Sequence, residues 1–200
     1  MHVPMGRERF DEARLINIAN ALTAVRVLLV PLFAHFLITG RIRRSLLVFA
    51  VCGLSDGLDG LLARKLKQRT VVGFYLDPIA DKLLMATAFI VLAYVKILPV
   101  WLAVLVISRD LFILAGSVLI LLLHGVGRIR TTIASKANTV VQIFTVIYFL
   151  VVRAYPRIWE FVPMGSEATA TLVVVGLCAL TTAVSGLHYL FIGMRQISNA

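Results

Sequence analysis

Residues 55–82 decide how this chain is interpreted, and they read SDGLDGLLARKLKQRTVVGFYLDPIADK. Four aspartates stand in this stretch, between long apolar segments: Asp56, Asp59, Asp77 and Asp81. A single charge at bilayer depth costs roughly 2.5–3.5 kcal/mol, even on the insertion scale that gives the smallest values. Four such charges need a metal ion, a substrate or water to offset them. The stretch therefore predicts a functional site.

The spacing of the aspartates predicts how they meet. On a helix with 3.6 residues per turn, Asp56 and Asp59 are about 60° apart, and Asp77 and Asp81 are about 40° apart. Each pair then projects from one face of its helix, and two helices facing each other would bring the four carboxylates together. Carboxylates at close range repel, whereas one or two divalent cations would hold them together. Ligands that are all oxygen favour Mg²⁺ or Mn²⁺ over zinc.

The same stretch resembles the signature of the CDP-alcohol phosphatidyltransferases, D-x2-D-G-x2-A-R-x8-G-x3-D-x3-D, at every fixed position. The matching residues are Asp56, Asp59, Gly60, Ala63, Arg64, Gly73, Asp77 and Asp81. The family transfers a phosphatidyl group from CDP-diacylglycerol to an alcohol, and CMP leaves. By resemblance, the first three aspartates bind metal, and Asp81 is the general base that also contacts a second metal ion. The resemblance thus implies two Mg²⁺ or Mn²⁺ ions.

Small residues of the signature are predicted to line the nucleotide site. Gly60 and Ala63 lie about one and two turns from Asp56, where the lack of a large side chain lets a flat cytosine or ribose approach. Close packing between membrane helices is the alternative explanation for this pair. Arg64 can donate a fork of hydrogen bonds to a phosphate, or it can anchor the helix at the membrane surface. The residues assigned to CDP binding are Asp56, Gly60, Ala63, Arg64 and Gly73.

The composition excludes a soluble enzyme, because 60 % of the 200 residues are hydrophobic and the mean hydropathy is +0.94. We predict an all-α polytopic membrane protein with six transmembrane helices, a short N-terminal juxtamembrane segment and a single domain over residues 1–200. Six stretches are apolar and long enough to span a bilayer: about 19–39, 45–63, 78–97, 100–124, 137–153 and 169–193. Gly73 is predicted to permit the turn that brings the third helix back, with Pro78 in the first turn of that helix.

The net charge of +10 does not indicate nucleic acid, because the basic residues lie mostly in short loops between apolar stretches. One side of the predicted membrane topology holds Arg7, Arg9, Arg14, Arg64, Lys65, Lys67, Arg69, Arg128, Arg130, Lys136 and Arg195. The other side holds Arg41, Arg43, Arg44, Lys96, Arg153 and Arg157. The positive-inside rule puts the larger group, and with it the aspartates, in the cytoplasm, as expected for a multi-pass protein of the bacterial inner membrane.

Two intramembrane or near-membrane cations are predicted to bind the acceptor. Arg109 and Lys136 can form an anion pocket for an acceptor phosphate, since basic residues within apolar stretches are functional candidates. In relatives that use glycerol-type acceptors, similar S-R-[DE] and [GS]-K-x-x-T-x-x-Q patterns supply such a pocket. The corresponding residues here are Ser108, Arg109, Asp110, Ser135, Lys136, Thr139 and Gln142. The alternative is an ion pair of Arg109 with Asp110 at a helix end, together with a loop lysine.

The acceptor itself is left open between two substrates. The run LDPIADK resembles phosphatidylglycerophosphate synthases and cardiolipin synthases, which implies glycerol 3-phosphate or phosphatidylglycerol as the acceptor. The two cations favour the small phosphorylated acceptor, whereas the runs SKANTVVQ and TTAVSGLHYLFIGMRQ are closer to cardiolipin synthases. In the first helix, Arg26 belongs to a run that resembles the border of the nucleotide site. Beyond CDP-diacylglycerol and membrane lipids as partners, the resemblance implies a homodimer.

A divalent-cation transporter is the alternative of another class. Transporters place intramembrane acids near the bilayer midplane, between pseudo-repeats with broken helices. No internal repeat is visible in this sequence, and the acids lie near the predicted cytoplasmic ends of their segments, beside Arg64 and Lys82. The sequence therefore favours phosphate chemistry over ion transport.

Overall fold

The chain folds as a set of long α-helices. The computed structural model describes residues 18–66, 71–124, 133–157 and 165–198, with side chains described for 25–55, 80–116, 134–157 and 165–191. Within these ranges the helices are α1 (Ile18–Ile38), α2 (Ile42–Leu66), α3 (Val71–Tyr94), α4 (Val100–His124), α5 (Ile133–Ala154) and α6 (Ser166–Ser198). Each apolar stretch predicted from the sequence corresponds to one of these helices, which confirms the all-α class.

The start of α3 differs from the prediction. The helix begins at Val71, so Gly73 and Pro78 both lie inside it. The predicted turn at Gly73, with Pro78 in the first helical turn, is therefore wrong. A glycine in a helix interior costs only about 1 kcal/mol, and a proline is tolerated in apolar helices where neighbouring groups satisfy the freed carbonyl. The helix-breaking tendencies of Gly73 and Pro78 are therefore too weak to end the helix.

The helices pack as a closed ring. Following the contacts, α1 lies against α2, α2 against α5, α5 against α6, α6 against α4, α4 against α3, and α3 returns to α1. A further contact joins α3 to α5 across the ring. The two helices that carry the aspartates, α2 and α3, thus both pack against α1. Only some of the helices that are consecutive in the chain pack against each other, so the order of the helices around the ring could not be predicted from the sequence.

The core of the ring is apolar, and so is much of its outer surface. Phe33, Phe89 and Leu102 are fully buried between helices. Large apolar side chains on the outside stay exposed, among them Leu28 at 72 % and Leu172 at 73 %. Within the described side chains, two helices are long and apolar enough to cross a bilayer, Ala134–Ala154 in α5 and Ser166–Phe191 in α6. An apolar exterior of this kind suits lipid better than water.

A glycine closes the turn between α1 and α2. Gly40 has φ +71°, and the amides of Gly40 and Arg41 donate to the carbonyls of Leu37 and Phe36 at 3.2 and 2.8 Å. This is the hydrogen-bond pattern of a Schellman cap, in which the left-handed residue is usually glycine. The same pattern recurs after α3 at Lys96, which has φ 59° and therefore carries a conformational cost that a glycine would avoid.

The Gly40 cap yields a first prediction. Gly40→Ala should lower the free energy of unfolding by about 1–2 kcal/mol, because a Cβ in the left-handed region clashes with the backbone. The measurement is denaturant unfolding of the purified protein in detergent. Gly53→Ala is the matched control, since Gly53 lies inside α2 and an added Cβ would meet no atom within 4 Å. A Gly40 variant as stable as the Gly53 variant would contradict the assignment.

Candidate active site

The structure describes the backbone of all four signature aspartates but not all of their side chains. Asp56 and Asp59 lie in α2, and Asp77 and Asp81 lie in α3. Both pairs are helical, as the argument from their spacing requires. The side chains of the first three lie outside the described ones, as do those of the predicted CDP-binding residues: Gly60, Ala63, Arg64 and Gly73. Their meeting at one site stays a prediction.

The donor set of the four aspartates suits a hard divalent cation. All the ligands it offers are carboxylate oxygens, which Mg²⁺ and Mn²⁺ prefer. Within the described side chains no group of three His, Cys, Asp or Glu residues gathers to hold a metal ion. Asp81, the one signature aspartate whose side chain is described, is partly buried. Metal binding by these residues is therefore argued from their chemistry and their helical spacing.

A buried arginine stands on the helix that packs against both aspartate-bearing helices. Arg26 of α1 is only 2 % exposed. A buried charge is retained only where opposite charge compensates it. Arg26 is thus a buried cation on α1, the helix that packs against both aspartate-bearing helices.

A network of polar side chains joins four helices next to Asp81. Lys82 of α3 forms an ion pair with Asp110 of α4, with Nζ 2.7 Å from Oδ2. The other carboxylate oxygen of Asp110 accepts from Arg109 Nη1 at 2.6 Å. Arg109 Nη2 donates to Ser135 Oγ of α5 at 2.9 Å and to the hydroxyl of Ser185 of α6. The network therefore fixes α4, α5 and α6 around one guanidinium.

One nitrogen of the Arg109 guanidinium has no hydrogen-bond partner. The side chain is 4 % exposed, and Nε is buried without a hydrogen-bond partner. Leaving a buried donor unsatisfied costs about 1–3 kcal/mol, and more for a charged group. The network around it holds two cations and one anion: Lys82, Arg109 and Asp110. A buried donor within a group of net positive charge can bind an anionic oxygen.

The two predicted acceptor-binding cations differ in exposure, since Arg109 is buried. Lys136 is exposed, and no hydrogen bond or ion pair links it to Arg109 among the described side chains. Its neighbour Ser135, however, does contact Arg109. The ion pair between Arg109 and Asp110, which was part of the alternative explanation from the sequence, is present. It lies inside α4 rather than at a helix end, and Lys136 lies in α5 rather than in a loop. A direct Arg109–Lys136 pair is thus absent here, and an acceptor bound by both would have to bridge them.

Sequence reasoning missed part of this site. Ser185 was not predicted, although it holds Arg109, and Lys82 was not expected to pair with Asp110. Next to them, Thr182 Oγ1 donates to Asn138 Oδ1 at 3.0 Å, between α6 and α5. The available signal was the occurrence of small polar residues inside apolar helices, which in membrane proteins often marks interhelical hydrogen bonds.

Gln142, predicted as part of the acceptor pattern, is buried one turn after Asn138 on α5. The side-chain nitrogens of both residues, Asn138 Nδ2 and Gln142 Nε2, are buried without hydrogen-bond partners. Buried amide donors of this kind are usually paired with another group or with water. Arg109 Nε of α4 is a third buried donor without a partner, beside these two of α5.

Comparison with known proteins identifies the group to which the chain is related. The sequence profile described as CDP-alcohol phosphatidyltransferase matches residues 16–184. A probable cardiolipin synthase (CMP-forming) of Drosophila melanogaster is 32 % identical over 92 % of this chain and 61 % of its own length. A probable phosphatidylglycerophosphate synthase of Mycobacterium tuberculosis is 32 % identical over 92 % of this chain and 85 % of its own length.

A human cardiolipin synthase (CMP-forming) is 30 % identical over 90 % of this chain, which spans 63 % of the human protein. The chain thus covers less than two thirds of the animal relatives and most of the mycobacterial one. The family profile includes α1, both aspartate-bearing helices and the polar network up to Thr182. The signature is intact, and the family profile matches most of the chain. The chain therefore belongs to the CDP-alcohol phosphatidyltransferase family.

Proposed function

We propose that this protein transfers the phosphatidyl group of CDP-diacylglycerol to glycerol 3-phosphate, releasing CMP and forming phosphatidylglycerophosphate. Family membership and the names of relatives support the reaction class. Arg109 has a buried Nε donor without a partner, and it contacts Ser135, the neighbour of Lys136. The choice of acceptor rests on these two cations together, because they suit the doubly charged phosphate of glycerol 3-phosphate better than the singly charged phosphodiester of a lipid. A small acceptor with its own phosphate offers an oxygen to such a donor.

The chemistry is a displacement at phosphorus. The acceptor hydroxyl oxygen forms a bond to the phosphorus that carries diacylglycerol, and the bond from that phosphorus to the CMP oxygen breaks. The Asp81 carboxylate takes the proton of the attacking hydroxyl, which makes the oxygen a better nucleophile. Asp56, Asp59 and Asp77, together with Asp81, would hold two divalent cations. When bound, these ions supply charge that offsets the pyrophosphate and the departing CMP.

The polar network has a positioning role in this proposal. Lys82 follows Asp81 directly on α3 and is tied to Asp110, so the network restrains the segment that carries the base. Arg109 is held by three side chains from α4, α5 and α6, which fixes the direction of its unused donor. A pre-oriented donor loses little freedom when the acceptor binds, and this favours both affinity and correct alignment.

Cardiolipin synthesis, with phosphatidylglycerol as acceptor, is the second candidate. It is favoured because a probable cardiolipin synthase and a probable phosphatidylglycerophosphate synthase are equally similar to this chain. Each is 32 % identical over 92 % of the chain. The phosphodiester of phosphatidylglycerol would meet the same Arg109 donor with one negative charge. A divalent-cation transporter, the alternative from the sequence, is disfavoured by the family match.

The membrane arrangement is part of the proposal. We propose that all six helices cross the bilayer, in a bacterial inner membrane, and that the aspartates face the cytoplasm, where nucleotide and metal ion are available. Two apolar helices of sufficient length and the excess of basic residues in the loops on that side support this. A homodimer is proposed from the family resemblance.

The deciding experiment offers the purified protein one acceptor at a time. CDP-diacylglycerol and Mg²⁺ are supplied with glycerol 3-phosphate, phosphatidylglycerol or inositol phosphate, and CMP release is measured. Release with glycerol 3-phosphate alone is the expected result. Release with phosphatidylglycerol alone would replace the proposal by cardiolipin synthesis. No release with any acceptor, from protein that still unfolds cooperatively, would contradict both.

The acceptor pocket gives a second prediction. Lys136→Gln should raise the KM for glycerol 3-phosphate about tenfold, with the KM for CDP-diacylglycerol nearly unchanged, because one charge-assisted hydrogen bond to the acceptor is lost. Arg109→Gln should have the same effect and should also lower the thermal unfolding midpoint, since this side chain joins three helices. Steady-state kinetics and unfolding in detergent measure the two effects. Unchanged KM values in both variants would locate the acceptor elsewhere.

A further inference from the structure

A cluster of arginines surrounds a pocket at the end of the molecule opposite the aspartates. The pocket has a volume of about 430 Å³ and is lined by Gly40, Arg41, Ile42, Arg43, Arg44, Arg153 and Ala154. It lies where α1 ends, α2 begins and α5 ends. Asp56 is fourteen residues after Ile42 on α2, which corresponds to about 20 Å along the helix. This arginine pocket is therefore distinct from the proposed active site.

Among the described residues, no carboxylate pairs with the positive charge of the arginine pocket. Arg43 and Arg44 stand in the first turn of α2, which contains no acidic residue. The amino end of a helix already bears a partial positive charge, so cations there are unfavourable and an anion is favoured. The charges of the described residues therefore favour the binding of an anion at this pocket.

Two of the arginines are held in place. Arg43 Nε donates to the Ala154 carbonyl at 3.2 Å, and its guanidinium lies 5.2 Å from the ring centre of Tyr155. The Arg44 guanidinium lies 5.9 Å from the ring centre of Phe36. Ordinary interfacial arginines extend into water with full rotational freedom. Side chains fixed around a concavity are instead pre-organised for a ligand.

The surface next to the pocket indicates what kind of anion would bind. Leu47, Val51 and Leu54 follow Arg43 and Arg44 at helical spacing along α2 and are 66, 51 and 69 % exposed. They form an apolar stripe that leads from the arginine pocket toward the middle of the bilayer. A free phosphate would use only the guanidinium groups, whereas a phospholipid would cover both the pocket and the stripe.

We infer that the arginine pocket binds the phosphate of an anionic phospholipid in the leaflet opposite the active site. The phosphate contacts the guanidinium groups of Arg41, Arg44 and Arg153, and an acyl chain lies along the apolar stripe of α2. The position of these arginines is otherwise unfavourable, because the positive-inside rule places few basic residues on this side. The inference rests on the proposed membrane embedding but not on the proposed chemistry.

The test is lipid binding by the full-length protein in detergent, measured by native mass spectrometry as an apparent Kd. The probes are dioleoyl phosphatidylglycerol, which is anionic, and dioleoyl phosphatidylcholine, which has no net charge. The double variant Arg41→Gln/Arg153→Gln should weaken phosphatidylglycerol binding by at least about tenfold, because two charge-assisted contacts are lost. Phosphatidylcholine should bind weakly to the wild type and to the variant alike.

Two control variants locate the effect. Arg157→Gln removes the same charge from the same end of the molecule, outside the pocket, and should leave the Kd within about twofold. Lys136→Gln alters the proposed acceptor site and should also leave it unchanged, which separates this site from one that binds phosphatidylglycerol as a substrate. An equal loss in Arg157→Gln, or no loss in the double variant, would overturn the inference.

A competition arm distinguishes lipid from free anion. Inorganic phosphate at millimolar concentration should not displace phosphatidylglycerol, and displacement would overturn the assignment to a lipid. If the double variant does not fold, Arg41→Gln alone should weaken binding about threefold or more, and unchanged binding in it would equally overturn the inference. Because binding is measured without turnover, an inactive protein that still binds the lipid at this pocket would contradict the proposed function only.

Discussion

Asp59→Asn should reduce CMP release below detection while the protein stays folded. The substitution removes one metal ligand of the predicted cluster and relieves repulsion among its carboxylates, so activity falls without loss of stability. Asp56→Asn and Asp77→Asn should behave in the same way. CMP release from CDP-diacylglycerol and the unfolding midpoint in detergent are measured for each variant. Activity similar to wild type in any of the three would show that this residue is not a metal ligand.

The control for these variants removes a carboxylate that is not part of the signature. Glu167 is exposed in the first turn of α6, and Glu167→Gln should keep full activity. Chelation is an independent test, because EDTA should abolish CMP release by the wild type and added Mg²⁺ should restore it. Turnover in buffer verified to be free of divalent metal would contradict the proposed role of the cluster.

Asp81→Asn should lower kcat about 10²–10⁴-fold with a much smaller effect on binding of CDP-diacylglycerol. A general base contributes to the rate of proton transfer and little to ground-state affinity. Single-turnover rates and equilibrium binding of the nucleotide lipid, measured on the same preparation, separate the two quantities. Asp110→Asn is an informative comparison, because Asp110 lies in the adjoining network and accepts from both Lys82 and Arg109.

Asp81→Asn and Asp110→Asn should affect different properties of the protein. Asp110→Asn should chiefly lower stability and acceptor affinity, since it breaks contacts between helices without removing the base. If Asp81→Asn instead weakens nucleotide-lipid binding in parallel with the rate, the role of Asp81 as a metal ligand outweighs its role as the base. The pair therefore tests whether the function of Asp81 is distinct from that of the network beside it.

The sequence by itself determined the class of protein and its chemistry. Apolar composition and helical spacing are local properties, so the six helices and the helical placement of the aspartate pairs could be predicted without knowing which helix meets which. The signature could be recognised because its residues lie within one continuous stretch of 26 positions, from Asp56 to Asp81. Family membership followed from the same positions and is confirmed by the profile match.

Local signals were less reliable where packing decides. Gly73 and Pro78 indicated a turn and a helix start, yet both lie inside α3. A glycine or a proline in a helix interior costs about 1–3 kcal/mol. In an apolar environment this cost is smaller than the free energy gained when the backbone N–H and C=O groups stay hydrogen-bonded within the helix. Helix boundaries at functional stretches therefore could not be predicted from breaker residues.

Only the tertiary structure decided which distant side chains meet. The partners of Arg109, namely Ser135 and Ser185, lie 26 and 76 positions away along the chain. The arginine pocket likewise joins Arg41 to Arg153 across the contact of α2 with α5. Helical periodicity specifies the direction of a side chain on its own helix, but the neighbour of that helix depends on the packing of the whole ring. The family and its reaction class could thus be predicted from one local signature, whereas the contacts between distant side chains required the fold.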